Sequence, residues 1–208
     1  MNQKITSQEI DDVAALHLLP RLDSRKVRQP ASKFRFYRDK VRLFLDFDPE
    51  SVILKKNDEG LIEGVLIFTR DEAEFNRFMG PLKLCFYNHL LKTVFGFYGF
   101  DFRKFFLAAR SATGFAGKSL IEKDAPSAKT AKIWALIVAE ESRKKGIAGE
   151  LIRKCIDRVS QAGGRCIELT VQKDNIPAIR AYEKSGFKVI GDCLESTGPS
   201  HIMQMTIS

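Results

Sequence analysis

Hydrophobic and polar positions divide the chain most sharply around Ile133–Val138, six uncharged residues (IWALIV) with no polar alternation. Such a run predicts a strand buried on both faces, and therefore a central one. A charged elbow, Ala139–Lys145, follows. Gly146 then opens an amphipathic helix to Ala162 in which Ile147, Leu151, Ile152, Cys155, Ile156 and Val159 recur at helical spacing, and Gly163-Gly164 stops it. Arg165–Val171 alternates Ile167, Leu169 and Val171 with Cys166, Glu168 and Thr170, the pattern of a strand whose second face is more polar. Asn175 to Phe187 is a further helix ending on Gly186. A strand near Lys188–Ile190, a loop rich in Gly, Ser and Pro, and a last strand over His201–Ile207 complete this half.

Upstream, Thr6-Ser7-Gln8-Glu9 has capping-box spacing and starts a helix to about Leu19, with Ile10, Val13, Ala14 and Leu18 facing inward. Leu19–Gln29 is polar and basic, a loop. Pro30 opens a second helix that puts Phe34, Tyr37, Val41, Phe44 and Leu45 on one side, and Asp48-Pro49 ends it. Ser51–Lys56 and Leu61–Thr69 flank Asn57-Asp58-Glu59-Gly60, the turn chemistry of an antiparallel hairpin. Gly64 inside the second strand signals a bulge or a close backbone approach.

Between this hairpin and the apolar run, Asp71–Thr130 holds about sixty residues, too many for a structureless loop in a compact domain. Asp71–Met79, Leu82–Phe95 and Asp101–Arg110 read as helices, with a break at Gly80-Pro81 and a loop over Ser111–Thr130. Nine of the sixteen phenylalanines lie between Phe75 and Phe106, and so wide an apolar arc requires a cover. A helical cap packed on the sheet, an acceptor pocket, a homodimer surface and a peripheral membrane contact through 82–108 all satisfy that requirement.

Composition narrows the class. With 44% apolar and 29% charged residues in 208, the chain is an ordinary globule of one domain, residues 1–208, with length enough for a core. No apolar run reaches the eighteen or so residues of a transmembrane span, and the start lacks a secretory pattern. Cys85, Cys155, Cys166 and Cys193 are scattered without C-x-x-C spacing, and His17, His89 and His201 have no ligand spacing. These features predict a cytoplasmic protein with no metal. The net charge of +8 predicts attraction to polyanions, but the basic residues are spread along the chain and match no nucleic-acid motif, so no specific nucleic acid is expected.

Chemistry enters at the elbow. Arg143, Lys144, Lys145, Gly146, Ile147 and Ala148 give the spacing R-x-x-G-x-A at a helix start. The unpaired N–H groups there, a glycine that lets the backbone come close and three cations together make an anion seat. The same tripeptide before a helix is also the pattern of a solvated corner. A second motif follows the next strand: Asn175 to Phe187 reads N-x-x-A-x-x-x-Y-x-x-x-G-F and carries Tyr182. The pair of motifs resembles the GNAT superfamily of acyl-CoA-dependent N-acyltransferases, firmly over Ala131–Phe187 and moderately over Ser51–Arg70.

The resemblance implies an α/β fold with a mixed, mostly antiparallel sheet flanked by helices, here with a helical insertion at about 71–130 between the family's strands three and four. It implies that Ile137 and Val138 offer backbone groups to the pantetheine arm of acetyl-CoA and that Arg143–Ala148 bind its pyrophosphate, Ala148 standing where glycine is commoner. Asn175 either caps its helix or contacts coenzyme A. Tyr182 falls where the family often places a general acid for the leaving thiolate; on spacing alone it is equally a core tyrosine. The amine acceptor is not identified by sequence, with a small amine or amino sugar first and a protein amino group second. No carboxylate lies within Ile133–Val138, where many members carry one. Glu140 and Glu141 read as solvated, and Glu63, His89 and Asp101 are the remaining candidates for a base. The gap matters, since deprotonating a lysine-like amine of pKa about 10.4 at pH 7 costs about 4.6 kcal/mol, against about 1 for an α-amine. A coenzyme-binding module without turnover is the alternative.

Overall fold

The computed structural model describes residues 5–20, 31–79, 129–195 and 198–207. Pro30, Gly80-Pro81, the expected helices over Leu82–Phe95 and Asp101–Arg110 and most of the following loop lie outside these residues. So does the surface proposed for membrane or dimer contact at 82–108.

The capping box forms as expected: the Glu9 N–H donates to Thr6 Oγ1 at 3.3 Å, the Thr6 N–H donates to Glu9 Oε2 at 2.6 Å, and helix α1 runs Ser7–Leu18. The same Glu9 pairs with Lys56 on β1, so the cap also ties α1 to the sheet. Helix α2 (Ala31–Phe47) ends where Asp48 turns inward and receives the Arg70 Nε–H at 2.8 Å. The hairpin β1 (Val52–Lys56) and β2 (Ile62–Thr69) closes through Asn57, whose Oδ1 accepts from the Glu59 and Leu61 N–H groups, with Gly60 at φ 79°. Asp71 then caps a helix α3 over 72–79.

Strand β3 (Thr130–Val138), helix α4 (Ile147–Gln161), β4 (Cys166–Gln172), helix α5 (Ile176–Lys184), β5 (Lys188–Glu195) and β6 (Gly198–Thr206) follow. The sheet order is β1-β2-β3-β4-β6-β5, antiparallel throughout except for β3–β4. The long segment joins β2 and β3, the second and third of the described strands.

Two apolar cores cover the two faces. Leu66, Phe68, Ile133, Leu151, Ile152, Cys155, Leu169 and Met203 pack under α4; Val13, Leu16, Val41, Phe44, Val65, Ile67 and Phe75 pack under α1 and α2. The strand buried on both faces is β2, whose Val65, Leu66, Ile67 and Phe68 are fully buried. The expectation of that role for Ile133–Val138 is corrected: β3 is central, yet only partly buried from Trp134 onward. The expected Gly-Ser-Pro loop is corrected too, since β5 and β6 extend through most of it as a hairpin whose register runs to Glu195↔Gly198.

Gly64 is a site of close approach. A β-carbon there would stand 2.9 Å from Ile147 Cγ2 and 3.0 Å from Leu151 Cδ1, so its absence lets α4 lie down on β2. Gly64→Val is expected to lift α4 and to lower stability by about 1–3 kcal/mol in urea denaturation, with Gly149→Ala, in open space at an ordinary helical φ, as the comparison.

Candidate functional site

The site begins with one extra residue. Along the β2–β3 ladder Ile67 faces Ala135 and Phe68 faces Ile133, so Trp134 has no opposite number and forms a bulge. Its side chain is anchored, with the indole N–H donating to Thr69 Oγ1 at 3.1 Å and Lys132 Nζ 4.8 Å from the ring centre. A bulge bends its strand, and here the parallel pairing of β3 with β4 stops at Ile133↔Leu169. Past that pair β4 continues against β6 to Gln172↔Ser200, whereas β3 continues against β2 alone.

The two strands thus open like a wedge. The Ala139 N–H donates to the Glu63 carbonyl at 2.8 Å, and backbone groups alternate in direction along an antiparallel ladder. Ala139 and Ile137 therefore turn their N–H and C=O toward β2, and Val138 and Leu136 turn theirs to the opening. The Val138 carbonyl accepts from Arg143 Nε at 3.4 Å. Of the two strand residues expected to offer backbone groups, Val138 faces the opening, as does Leu136, and Ile137 faces β2.

A cavity of about 200 Å³ fills the wedge, with Ile133–Leu136 on one wall, Thr170–Gln172 on the other, and Asn175, Ala178 and Tyr182 of α5 closing one side. Tyr182 is 6% exposed and packs edge-on against Phe187 at 5.7 Å. Burial, with Cys155 nearby, pushes its phenol well above the usual range, so it stays protonated across physiological pH. Asn175 serves as the cap of α5, its Oδ1 accepting the Ala178 N–H at 3.3 Å, and also lines the cavity.

At the far end of β3 the chain makes a short 3-10 turn, Glu140–Ser142, pinned by the Glu140 N–H to the Pro20 carbonyl (2.5 Å) and by Ser142 Oγ to Glu63 Oε1 (3.0 Å). Glu63 thereby braces the turn and does not line the cavity; Glu140 and Glu141 are exposed. His89 and Asp101 lie outside the described residues. Arg143, Lys144 and Lys145 are exposed, and Lys144 (φ 63°) and Gly146 (φ 81°) are both left-handed. Gly146 is the N-cap of α4 and no side chain caps the helix, so the N–H groups of its first turn face outward unopposed by a capping oxygen. Ile147 is buried beneath that turn and holds it to the sheet, while beta-carbons at Gly146 and Gly149 would meet nothing within 4 Å. A backbone cradle of this kind, rimmed by three cations, suits a diphosphate.

No group of metal-ligating side chains occurs among the described residues. His17 rests against Tyr37, with burial and then Lys40 pushing it down to about 4, and His201 pairs with Asp192 at 2.7 Å. Among the described residues no helix is long and apolar enough to cross a membrane.

Comparison with known proteins agrees with this geometry. A family model described as acetyltransferase (GNAT) family matches residues 73–187, more than half the chain. A mycothiol acetyltransferase of Brachybacterium faecium is 33% identical over 94 residues, 44% of this chain and 28% of that protein. Another from Corynebacterium aurimucosum is 33% identical over 58 residues, 28% of this chain and 19% of that protein. The chain thus matches less than a third of the length of these relatives. Among solved structures, an acetyltransferase crystal structure superposes with a TM-score of 0.59 at 17% identity, covering 99% of this chain and 98% of that one. A chain of the NatC complex bound to Gag peptide and CoA gives 0.55 at 14% identity, covering 99% and 97%. At such identities the likeness concerns the fold.

Gly146→Ala separates backbone strain from packing, because the new methyl group meets nothing. It is expected to cost about 1–2 kcal/mol in urea denaturation, the penalty of the left-handed conformation alone.

Proposed function

The chain belongs to the acetyltransferase (GNAT) family, and from that premise we propose that it transfers an acetyl group from acetyl-CoA to a primary amine. The observation that carries this reading is the wedge: β3 leaves β4 after Ile133↔Leu169, the freed edge runs into the Gly146 turn, and Tyr182 stands in the cavity between. Val138 and Leu136 would pair with the amide groups of the pantetheine arm, taking the place of the missing strand. The first-turn N–H groups of α4 and of the loop from Arg143 to Ala148 would hold the pyrophosphate. Asn175, its Oδ1 engaged in the cap, retains its amide nitrogen for a contact along the same cleft.

Acetyl-CoA supplies a thioester whose carbonyl carbon accepts a nucleophile and whose sulfur leaves. The protein's part is to hold that carbonyl beside an amine, which alone removes a large share of the barrier, and to manage protons. Tyr182 acts at the sulfur. A thiol of pKa about 8.5 is a better acid than a phenol of about 10, and burial raises the phenol further. The proton therefore passes to sulfur only as negative charge builds on a leaving group that is itself desolvated in the cleft. The naming of the curated relatives for mycothiol supports an acceptor of the small-molecule class, a small amine or amino sugar.

Tyr182→Phe keeps the ring contacts and removes the proton. It is expected to leave the dissociation constant of acetyl-CoA within about twofold and to lower kcat by roughly 10²- to 10⁴-fold. An unchanged kcat would refute the acid role. Wild-type protein that is stabilised by acetyl-CoA yet acetylates no amine in a broad panel would leave only a coenzyme-binding module.

A further inference from the structure

A base is absent from β3, yet the cavity is not without a carboxylate. Of the described residues lining it, Glu195 alone is acidic. It reaches the cavity through the hairpin that the sequence disguises as a loop. β4 ends at Gln172↔Ser200, but β6 begins two residues earlier, at Gly198, which pairs with Glu195. The hairpin therefore overhangs the end of β4 and brings its last paired residue to the mouth of the wedge. Thr170 and Gln172 of β4 share that wall, and Tyr182 of α5 lines the same cavity.

The neighbouring charges leave this position distinct. Asp192 is held by Lys173 at 2.5 Å and His201 at 2.7 Å, and both contacts keep its carboxyl below the usual range. Glu168 is nearly buried and lies in register with Lys132. Around Cys193, two residues before Glu195, the same set gathers: burial first, then Glu195, with Asp192 and Glu168 opposing Lys132, raises that thiol. Glu195 itself is exposed, as a residue that meets an incoming molecule must be. An alkylamine arrives as an ammonium ion, and a carboxylate at the mouth of the cavity recognises that charge.

We propose that Glu195 seats the acceptor's ammonium group and accepts the proton its nitrogen gives up as the new bond forms, so that the acceptor is a cationic primary amine. The inference rests on the acetyl-transfer reading. The nitrogen sheds two protons in all. One goes to solvent to free the lone pair, which bonds to the acetyl carbon; the second passes to Glu195 as the amide forms. The carbon–sulfur bond breaks with its electron pair going to sulfur, Tyr182 gives that sulfur a proton, and the proton held by Glu195 returns through water to Tyr182. The sum is an ammonium and acetyl-CoA giving an amide, a free thiol and one proton.

The test compares wild type, Glu195→Gln and Glu195→Asp with amines charged at pH 7 (cadaverine, glucosamine and Nα-acetyl-lysine amide) and with hydroxylamine, which is uncharged. For charged amines Glu195→Gln is expected to lower kcat/KM by roughly 100-fold or more, through both KM and kcat, with Glu195→Asp regaining part of the loss. Acetyl-CoA affinity stays within a few-fold and the thermal midpoint within a few degrees, while hydroxylamine, which has no charge to seat but still gives up a proton, loses kcat and keeps its KM. An unchanged KM for the charged amines, or no loss of kcat with either class, overturns the proposal. Wild-type protein that binds acetyl-CoA but acetylates none of the amines defeats the acetyl-transfer reading instead.

Discussion

One bulged tryptophan sets the geometry on which the site depends. Trp134 is pinned through its indole to Thr69 and wedged among Phe44 and Phe75, with ring centres 5.8 and 5.4 Å away. With that residue fixed as an extra position, β3 cannot follow both neighbours, and it keeps β2. An unmatched backbone N–H or C=O costs about 1–3 kcal/mol when it is buried dry, so the freed edge must meet water or a ligand. The opening is therefore a free strand edge, held apart by a core that does not yield: β2 on one side is buried at every residue but Glu63, and β4 on the other is locked to β6 by seven residue pairs.

That core also explains the charge. The three cations at Arg143–Lys145 are exposed, and an exposed ion pair contributes at most about 1 kcal/mol and is screened by salt. Backbone N–H groups at a left-handed turn cannot swing away, because Ile147 is buried beneath them and Gly64 lets α4 press down on β2. Attraction comes from the side chains and position from the main chain. The same division holds in the wedge, which a buried phenol and one exposed carboxylate line together.

Much of this was legible in the sequence, and the failures have physical causes. Capping residues, the Asn57–Gly60 turn, the two motif-bearing helices and the close approach at Gly64 are local signals, and each appears where its residues indicate. Ile133–Val138 misled because a strand that packs one face on a core and lines a wedge carries the same apolar side chains as one buried on both faces. A bulge leaves no mark in an apolar run, so the alternation that puts Val138 and Leu136 on the open edge was out of reach. Glu195 was missed because Gly198 and Pro199 read as loop breakers; Pro199 is accommodated near the start of a strand beside the opening.

The central claim, that the β3 edge and the Gly146 turn form one seat for the donor, is tested most directly by amide hydrogen exchange with and without coenzyme A, read residue by residue by NMR. Slowed exchange is expected at Leu136, Val138 and the first turn of α4, with Ile137, already bonded to β2, unchanged. Binding of coenzyme A that protects Ile137 alone, or protects neither Val138 nor the residues after Gly146, would contradict it.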